Sequence, residues 1–257
     1  MKVAMQRRLA RNLVTLLVTG VASLACAQQD TNCWKFMVYG DTRGTSVGIN
    51  TNVLRGLAQE TTNIHPDFVL VPGDLANSGS TNWFLAWSNI MAPVYQAGIG
   101  VYPVMGSHDT NDVPAWRAVF GPDLPDNGPP GEVDRTYALI HKNALVLALD
   151  TERTVSRVNL PWVNDALTNN TKPHVFAMGH QPAFHVYHDD CLDDYPAARN
   201  AFWNMLSNAN CKIYFCGHDH FYDHIRLDDG DGDDGNDVHQ MIVGTGGCAV
   251  LLQRRPL

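Results

Sequence analysis

Lys212-Ile213-Tyr214-Phe215-Cys216-Gly217-His218-Asp219-His220 packs a strand, a turn and a cluster of ligand-type side chains into one short run. The first five residues are strand-length and rich in β-branched and aromatic side chains. Gly217 then ends the run, and two imidazoles flank a carboxylate directly after it. The same order recurs upstream. Trp34 to Tyr39 leads into Gly40-Asp41, Phe68 to Val71 into Pro72-Gly73-Asp74, Val101 to Met105 into Gly106-Ser107-His108-Asp109, and His174 to Met178 into Gly179-His180. Each apolar run predicts a strand, and each is followed within two residues of a glycine by Asp or His.

Between several of these runs lie helix-like stretches at Asn50 to Glu60, Asn82 to Gln96, Leu160 to Asn169 and Ala197 to Ala209. Strands alternating with helices predict an α/β architecture with mainly buried sheets. Thr136 to His141 with Ala144 to Asp150 reads as a hairpin. So does Phe221 to Leu227 with Val238 to Val243, joined by the acidic loop Asp228 to Asp237. Hairpins mixed with strand–helix units predict two packed mixed sheets flanked by helices. The Pro/Gly-rich segment Gly121 to Gly131 is expected as a surface loop. Trp83, Trp87, Ile90 and Met91 fall at helical spacing and are expected in the core.

In open α/β sheets the ligand site lies beyond the carboxyl ends of the strands. Five such ends brought together would assemble a cluster of Asp and His, a donor set suited to Zn, Fe or Mn. The glycine before each side chain permits a sharp turn and a close backbone approach. One Gly-Asp or Gly-His pair means little. Five in order, each after a strand, form a specific pattern, against the alternative of ordinary turn and capping residues.

The chain has 257 residues, 45% of them hydrophobic, enough for one sizeable core. Its first segment differs from the rest. Lys2, Arg7, Arg8 and Arg11 precede an apolar run from Leu13 to Ala25 that is too short to span a bilayer comfortably, and small residues follow at Ala25-Cys26-Ala27. This three-part pattern predicts a signal peptide over residues 1–27, a mature domain over 28–257, and export to the periplasm or outside the cell. A lipoprotein signal ending at Cys26 fits less well, because Ser23 stands three residues before that cysteine. No other segment is long and apolar enough to span a membrane. Removing residues 1–27 takes away four positive charges and no acid, so the net charge goes from −8 to −12. So acidic a surface does not bind nucleic acid by neutralising its backbone, and a nuclease reading suffers accordingly. Five cysteines remain beyond residue 27, an odd number with no C-x-x-C pair, which argues against a thiolate zinc knuckle.

The ordered motifs Gly40-Asp41-Thr42-Arg43, Gly73-Asp74-Leu75-Ala76, Gly106-Ser107-His108-Asp109, Gly179-His180 and Gly217-His218-Asp219-His220 resemble the calcineurin-like metallophosphoesterase superfamily. Its pattern is GDxH, GDxx, GNH followed by an acid, a lone His and GHxH. The resemblance covers about Phe36 to Gly247. It implies a two-sheet sandwich with outer helices and a pair of divalent or trivalent metal ions (Fe, Mn or Zn). It further implies hydrolysis of a small phosphomonoester or phosphodiester by hydroxide generated at that pair. By this resemblance Asp41 and His220 would hold the first ion, Asp74 would bridge, and His180 and His218 would hold the second. His108 would act on the leaving group, with Asp109 orienting its ring. Gly244-Thr245-Gly246-Gly247 resembles the late glycine turn of the family near the metals.

Two positions depart from the pattern. Arg43 stands where the family has a histidine, and a guanidinium cannot ligate a metal. It would either fork onto a substrate phosphate or point outward to a surface acid. Ser107 stands where the family has Asn, and offers a hydroxyl in place of a carbonyl oxygen to the second ion. Both departures keep a second function open: a weakened descendant that binds metal or a phosphorylated ligand without turnover. His185 and His188 lie among Asp189, Asp190, Asp193 and Asp194, where a solvated loop is the simpler reading and a part in the site mouth the other. Asp229, Asp231, Asp233 and Asp234 do not meet the calcium-loop spacing, since Asp234 and Gln240 stand where Gly and Glu are needed. His65, His141, His174, His224 and His239 are expected to be structural.

Overall fold

The computed structural model describes residues 33–44, 48–228, 230 and 232–249. The expected signal peptide, Asp229 and Asp231 lie outside these residues. From Trp34 onward the chain forms one unit. Among the described residues no helix is long and apolar enough to cross a membrane.

Among the described residues nine strands form two sheets. The first is parallel in the order β1-β2-β3, from Phe36–Val38, Phe68–Pro72 and Gly100–Val104. Pro103 has no N–H to give a ladder, and β3 tolerates it because it is an edge strand. The second sheet runs β4-β5-β6-β7-β9-β8. Its strands are β4 (Tyr137–His141), β5 (Ala144–Ala148), β6 (His174–Met178), β7 (Cys211–Cys216), β8 (Tyr222–Leu227) and β9 (Val238–Val243). β4/β5 and β8/β9 pair antiparallel as the two expected hairpins, and the central strands are parallel. This is the mixed two-sheet architecture read from the sequence.

The period-two alternation of the strands builds the layers. Val146, Ala148, Met178 and Phe215 of the second sheet pack with Phe68, Leu70 and Val104 of the first. Phe36 stands edge-on to Phe176 and Phe215, with ring centroids 5.4 and 5.8 Å away. The intervening residues Leu145, Leu147, Val175, Ala177 and Tyr214 face a second core with Val163, Phe202 and Leu206.

The first core is completed by α1 (Thr51–Ile64), α2 (Thr81–Gln96) and α3 (Val113–Phe120). The second is completed by α4 (Leu160–Thr168) and α5 (Pro196–Asn208). Local chemistry sets the helix starts: Asn50, Ser80 and Asn159 accept N–H bonds from Val53, Trp83 and Trp162. Trp87 and Met91 are fully buried, while Trp83 and Ile90 are half-buried against the same core. Helix α3 has no counterpart in the sequence reading. Its eight residues are too few for a periodic signal; the cue was Asp112, which caps the Ala115 N–H, followed closely by Pro114. Cys191, Cys211, Cys216 and Cys248 are buried thiols.

Candidate metal centre

The loops beyond β1, β2, β3, β6 and β7 meet at one place. The Asp41 N–H donates to Gly73 O, the Arg43 N–H to Asp74 O, and the Gly217 N–H to His180 O. The glycine turn after β9 braces the first loop: Gly246 N donates to Gly40 O and Cys248 N to Asp41 O, at 2.9 and 3.0 Å. Asp41, Asp74 and His218 adopt left-handed backbone angles, with φ of 57°, 53° and 68°. Such angles cost a non-glycine residue on the order of 1 kcal/mol each and persist where the surroundings enforce them. The adjoining glycines serve mainly by closeness. A Cβ on Gly217 would stand 2.2 Å from Asp41 Oδ2, and one on Gly106 2.3 Å from Asp74 Oδ1.

At the bottom lie Asp41, Asp74 and His180, all buried, with ligand atoms within 4.8 Å of one another. His180 Nδ1 meets Pro72 O at 2.9 Å, and a carbonyl only accepts, so Nδ1 carries the proton. In the neutral ring, the form a metal ion binds, Nε2 then presents a lone pair. It is buried without a hydrogen-bond partner and faces Asp74 Oδ1 at 3.5 Å. A neutral imidazole and an ionised carboxylate facing each other in the dry interior are both acceptors, and a cation between them satisfies both. The residues present fit a metal ion.

The electrostatics agree. Burial, and next the charge of Asp74, push the Asp41 carboxyl well above the usual range. Burial works against Asp74 too, but His180, the His108 N–H and Arg43 outweigh it and hold Asp74 below that range. Two carboxylates this close do not both ionise easily without a positive partner.

Above this base opens a cleft of ≈ 240 Å³, lined by Arg43, Asp74, Ser107, His108, His188, Asp190, His218 and His220. Arg43 points inward. Its Nε donates to Asp74 Oδ2 at 3.0 Å, Nη1 to Asn77 Oδ1 at 3.0 Å and Nη2 to His220 Nε2 at 3.3 Å. Burial, then Arg43, lowers His220 to about 4, so its ring is neutral. Burial, then His180, lowers His218 as well. His218 Nε2 donates to Asp190 Oδ1 at 3.0 Å, which leaves the lone pair of the neutral ring on Nδ1.

The two residues placed together in the leaving-group role separate. The His108 ring lines the cleft and its Nδ1 donates to Asn77 O at 3.0 Å. Asp109 is fully buried and accepts from the Gly106, Leu75 and Ala76 N–H groups, so it secures the loops rather than the ring. Burial, then Asp74, raises it to about 8. Ser107 lies in the cleft wall.

Sequence reasoning missed three participants. Asn77 receives both Arg43 and His108, Asp190 receives His218, and Asp219, the middle residue of the last motif, receives His188 Nδ1 at 2.6 Å. His188 thereby turns into the cleft, while His185 stays outside it. Spacing in the last motif was the available signal for Asp219; the loop positions gave none. His224 and His239 pair at 2.7 Å on β8 and β9, away from the cleft.

The sequence model described as calcineurin-like phosphoesterase matches residues 35–222. No curated protein sequence matches the chain. Among solved structures, a purple acid phosphatase from yellow lupin (Lupinus luteus) seeds superposes with a TM-score of 0.65 at 14% identity, over 87% of this chain. The chain spans 46% of that protein's length. A dimetal phosphatase from Danio rerio gives 0.59 at 14% identity, over 81% of this chain and 86% of its own. GAP50, the anchor in the inner membrane complex of Plasmodium, gives 0.57 at 18% identity, over 83% and 72%. At these identities the likenesses speak for the fold. With the family model covering most of the chain, the protein belongs to the calcineurin-like phosphoesterase family.

Proposed function

We propose that the protein is a metal-dependent hydrolase of small phosphomonoesters or phosphodiesters, acting in the cleft above Asp41, Asp74 and His180. The observation that carries this reading is His180 Nε2, buried without a hydrogen-bond partner, facing Asp74 and grouped with Asp41. Bound there, a divalent or trivalent ion such as Fe, Mn or Zn supplies Lewis acidity toward a phosphoryl oxygen and toward water.

The side chains of the cleft supply the rest. Arg43 presents positive charge to an anionic phosphoryl group. His108 and His188 line the same cleft, each with Nδ1 bonded to a fixed acceptor, and are placed to pass a proton to a departing oxygen. His218 is held in one tautomer by Asp190. The volume of ≈ 240 Å³ suits a phosphoryl group with a compact leaving group. The acidic chain, at net −8 with its first segment included, disfavours a polynucleotide. The tripartite pattern of residues 1–27 supports export.

The test is hydrolysis of p-nitrophenyl phosphate and of bis(p-nitrophenyl) phosphate with added Mn²⁺ or Zn²⁺. Asp74→Asn keeps the shape but removes the charge. It is expected to lower kcat/KM by at least about 10- to 100-fold, the loss typical of changing even an outer partner of a metal ligand. Undiminished turnover by the variant would sink the proposal. A wild type that binds the ion and hydrolyses neither ester would favour the binding-only descendant, the reading that Arg43 and Ser107 keep open.

A further inference from the structure

We propose that the chain holds one metal ion rather than a pair, and that the Arg43 guanidinium occupies the place of the other cation. The inference rests on the metal-dependent reading above and adds the count and the identity of the charges.

Asp74 divides its two oxygens. Oδ1 faces His180 Nε2 at 3.5 Å, and Oδ2 accepts from Arg43 Nε at 3.0 Å. The family resemblance assigns the first ion to Asp41, Asp74 and His220. Arg43 touches two of these three through the atoms that would ligate. A guanidinium only donates, so its 3.3 Å contact with His220 Nε2 consumes the lone pair there. The third residue, Asp41, keeps its ligand oxygen within the Asp41–Asp74–His180 group. The donors thus sort into one complete three-residue set and one set already satisfied by a side-chain cation.

Arg43 is fixed in this position. Its N–H donates to Asp74 O at 3.1 Å, its backbone bridges to Ile49, and Asn77 Oδ1 holds Nη1. A guanidinium is a permanent cation. A second divalent ion would have to displace it from a nearly buried carboxylate, or sit against it in a water-poor pocket where like charges repel strongly. Of its five N–H bonds three are committed. Because Arg43 lines the cleft, the remaining two are available to phosphoryl oxygens.

The experiment counts ions. Protein stripped with a chelator is titrated with Mn²⁺, and stoichiometry is read by calorimetry and by elemental analysis after desalting. Electron paramagnetic resonance reports whether bound ions are isolated or coupled. Wild type is expected to bind one Mn²⁺ per chain with an isolated-ion spectrum. Arg43→His is expected to bind two and to lose isolated-ion intensity per Mn²⁺, while Arg43→Lys, which keeps the charge, stays at one. Two ions in the wild type overturn the one-ion assignment, as does a single ion in natively folded Arg43→His, and both leave metal dependence standing. If the histidine variant fails to fold, the wild-type count decides alone: one supports the assignment and two overturn it. No ion in the wild type at saturating Mn²⁺ overturns the metal-dependent reading itself.

Discussion

Gly106 shows how single residues shape this site. Its backbone is ordinary; what it lacks is a Cβ, which would stand 2.2 Å from the Asp74 N and 2.3 Å from Asp74 Oδ1. Backbone and a buried carboxylate cannot step aside cheaply, so Gly106→Ala is expected to cost about 1–3 kcal/mol. The same displacement of Asp74 should weaken Mn²⁺ binding by about 10-fold or more. Gly56, inside α1 with nothing within 4 Å of its Cβ, is the paired control, and Gly56→Ala should stabilise by roughly 0.5–1 kcal/mol. Urea midpoints of the two variants moving in the same direction would refute the argument. At this scale the sequence was readable where a residue type alone carries the meaning: a glycine directly before Asp41, Asp74, Ser107, His180 and His218 announces close approach. It was not readable for Arg43. Whether that side chain met a phosphate or a surface acid was open, and the structure gives a third answer, buried Asp74. A side chain's direction depends on neighbours from other strands, here Asn77 and His220. Asn77, Asp190 and Asp219 were missed for the same reason.

Strands and the longer helices were legible from apolar runs and helical spacing, whereas the short α3 was not. Strands β1, β2, β3, β6 and β7 fall on the five apolar runs, and both expected hairpins pair antiparallel. Sheet order was not legible, because β9 inserts between β7 and β8 through contacts distant in sequence. That insertion matters for the site. Gln240 of β9 is fully buried, and its Oε1 accepts from the Ala183 and Phe184 N–H groups at 2.8 and 2.9 Å. Its Nε2 returns a bond to Phe184 O at 3.0 Å. One side chain thus pins the start of the loop that carries His188 and Asp190 into the cleft. Gln240→Leu keeps the bulk and removes all three bonds. The expected cost is about 1–3 kcal/mol for each backbone group left dry, with faster amide exchange at residues 183–190 than at β7. Unchanged exchange in that loop would show that the loop is held by its other contacts.

Over the whole molecule, buried titratable groups pull stability in opposite directions with pH. His220 is held near 4 by burial and then by Arg43, against an ordinary 6.5. Its folded pKa is depressed, so the unfolded chain takes the proton first, and stability falls as pH drops from 6.5 toward 4. Glu152 works the other way. Burial, only partly offset by the Gln181 hydrogen bond and by Arg157, lifts it from 4.5 to about 7, and its Oε1 is buried without a hydrogen-bond partner. A carboxyl that holds its proton more tightly when folded contributes fully below pH 4.5. The contribution shrinks as pH rises and is gone above about 7. The lost stability amounts to about 3 kcal/mol. Glu152→Gln keeps the shape of the protonated form and cannot ionise. In chelator-containing buffer, where no metal adds its own charge, the variant and the wild type should unfold at similar urea concentrations at pH 4.5. By pH 8 the variant should be the more stable by up to about 3 kcal/mol. The windows of His220 (about 4 to 6.5) and Glu152 (4.5 to about 7) overlap, so across their common range the two contributions oppose each other in the wild type, and Glu152→Gln leaves the His220 slope alone. A difference between the two proteins that is the same at both pH values would mean that Glu152 is ionised in the folded chain throughout, with Arg157 at 3.5 Å outweighing the burial.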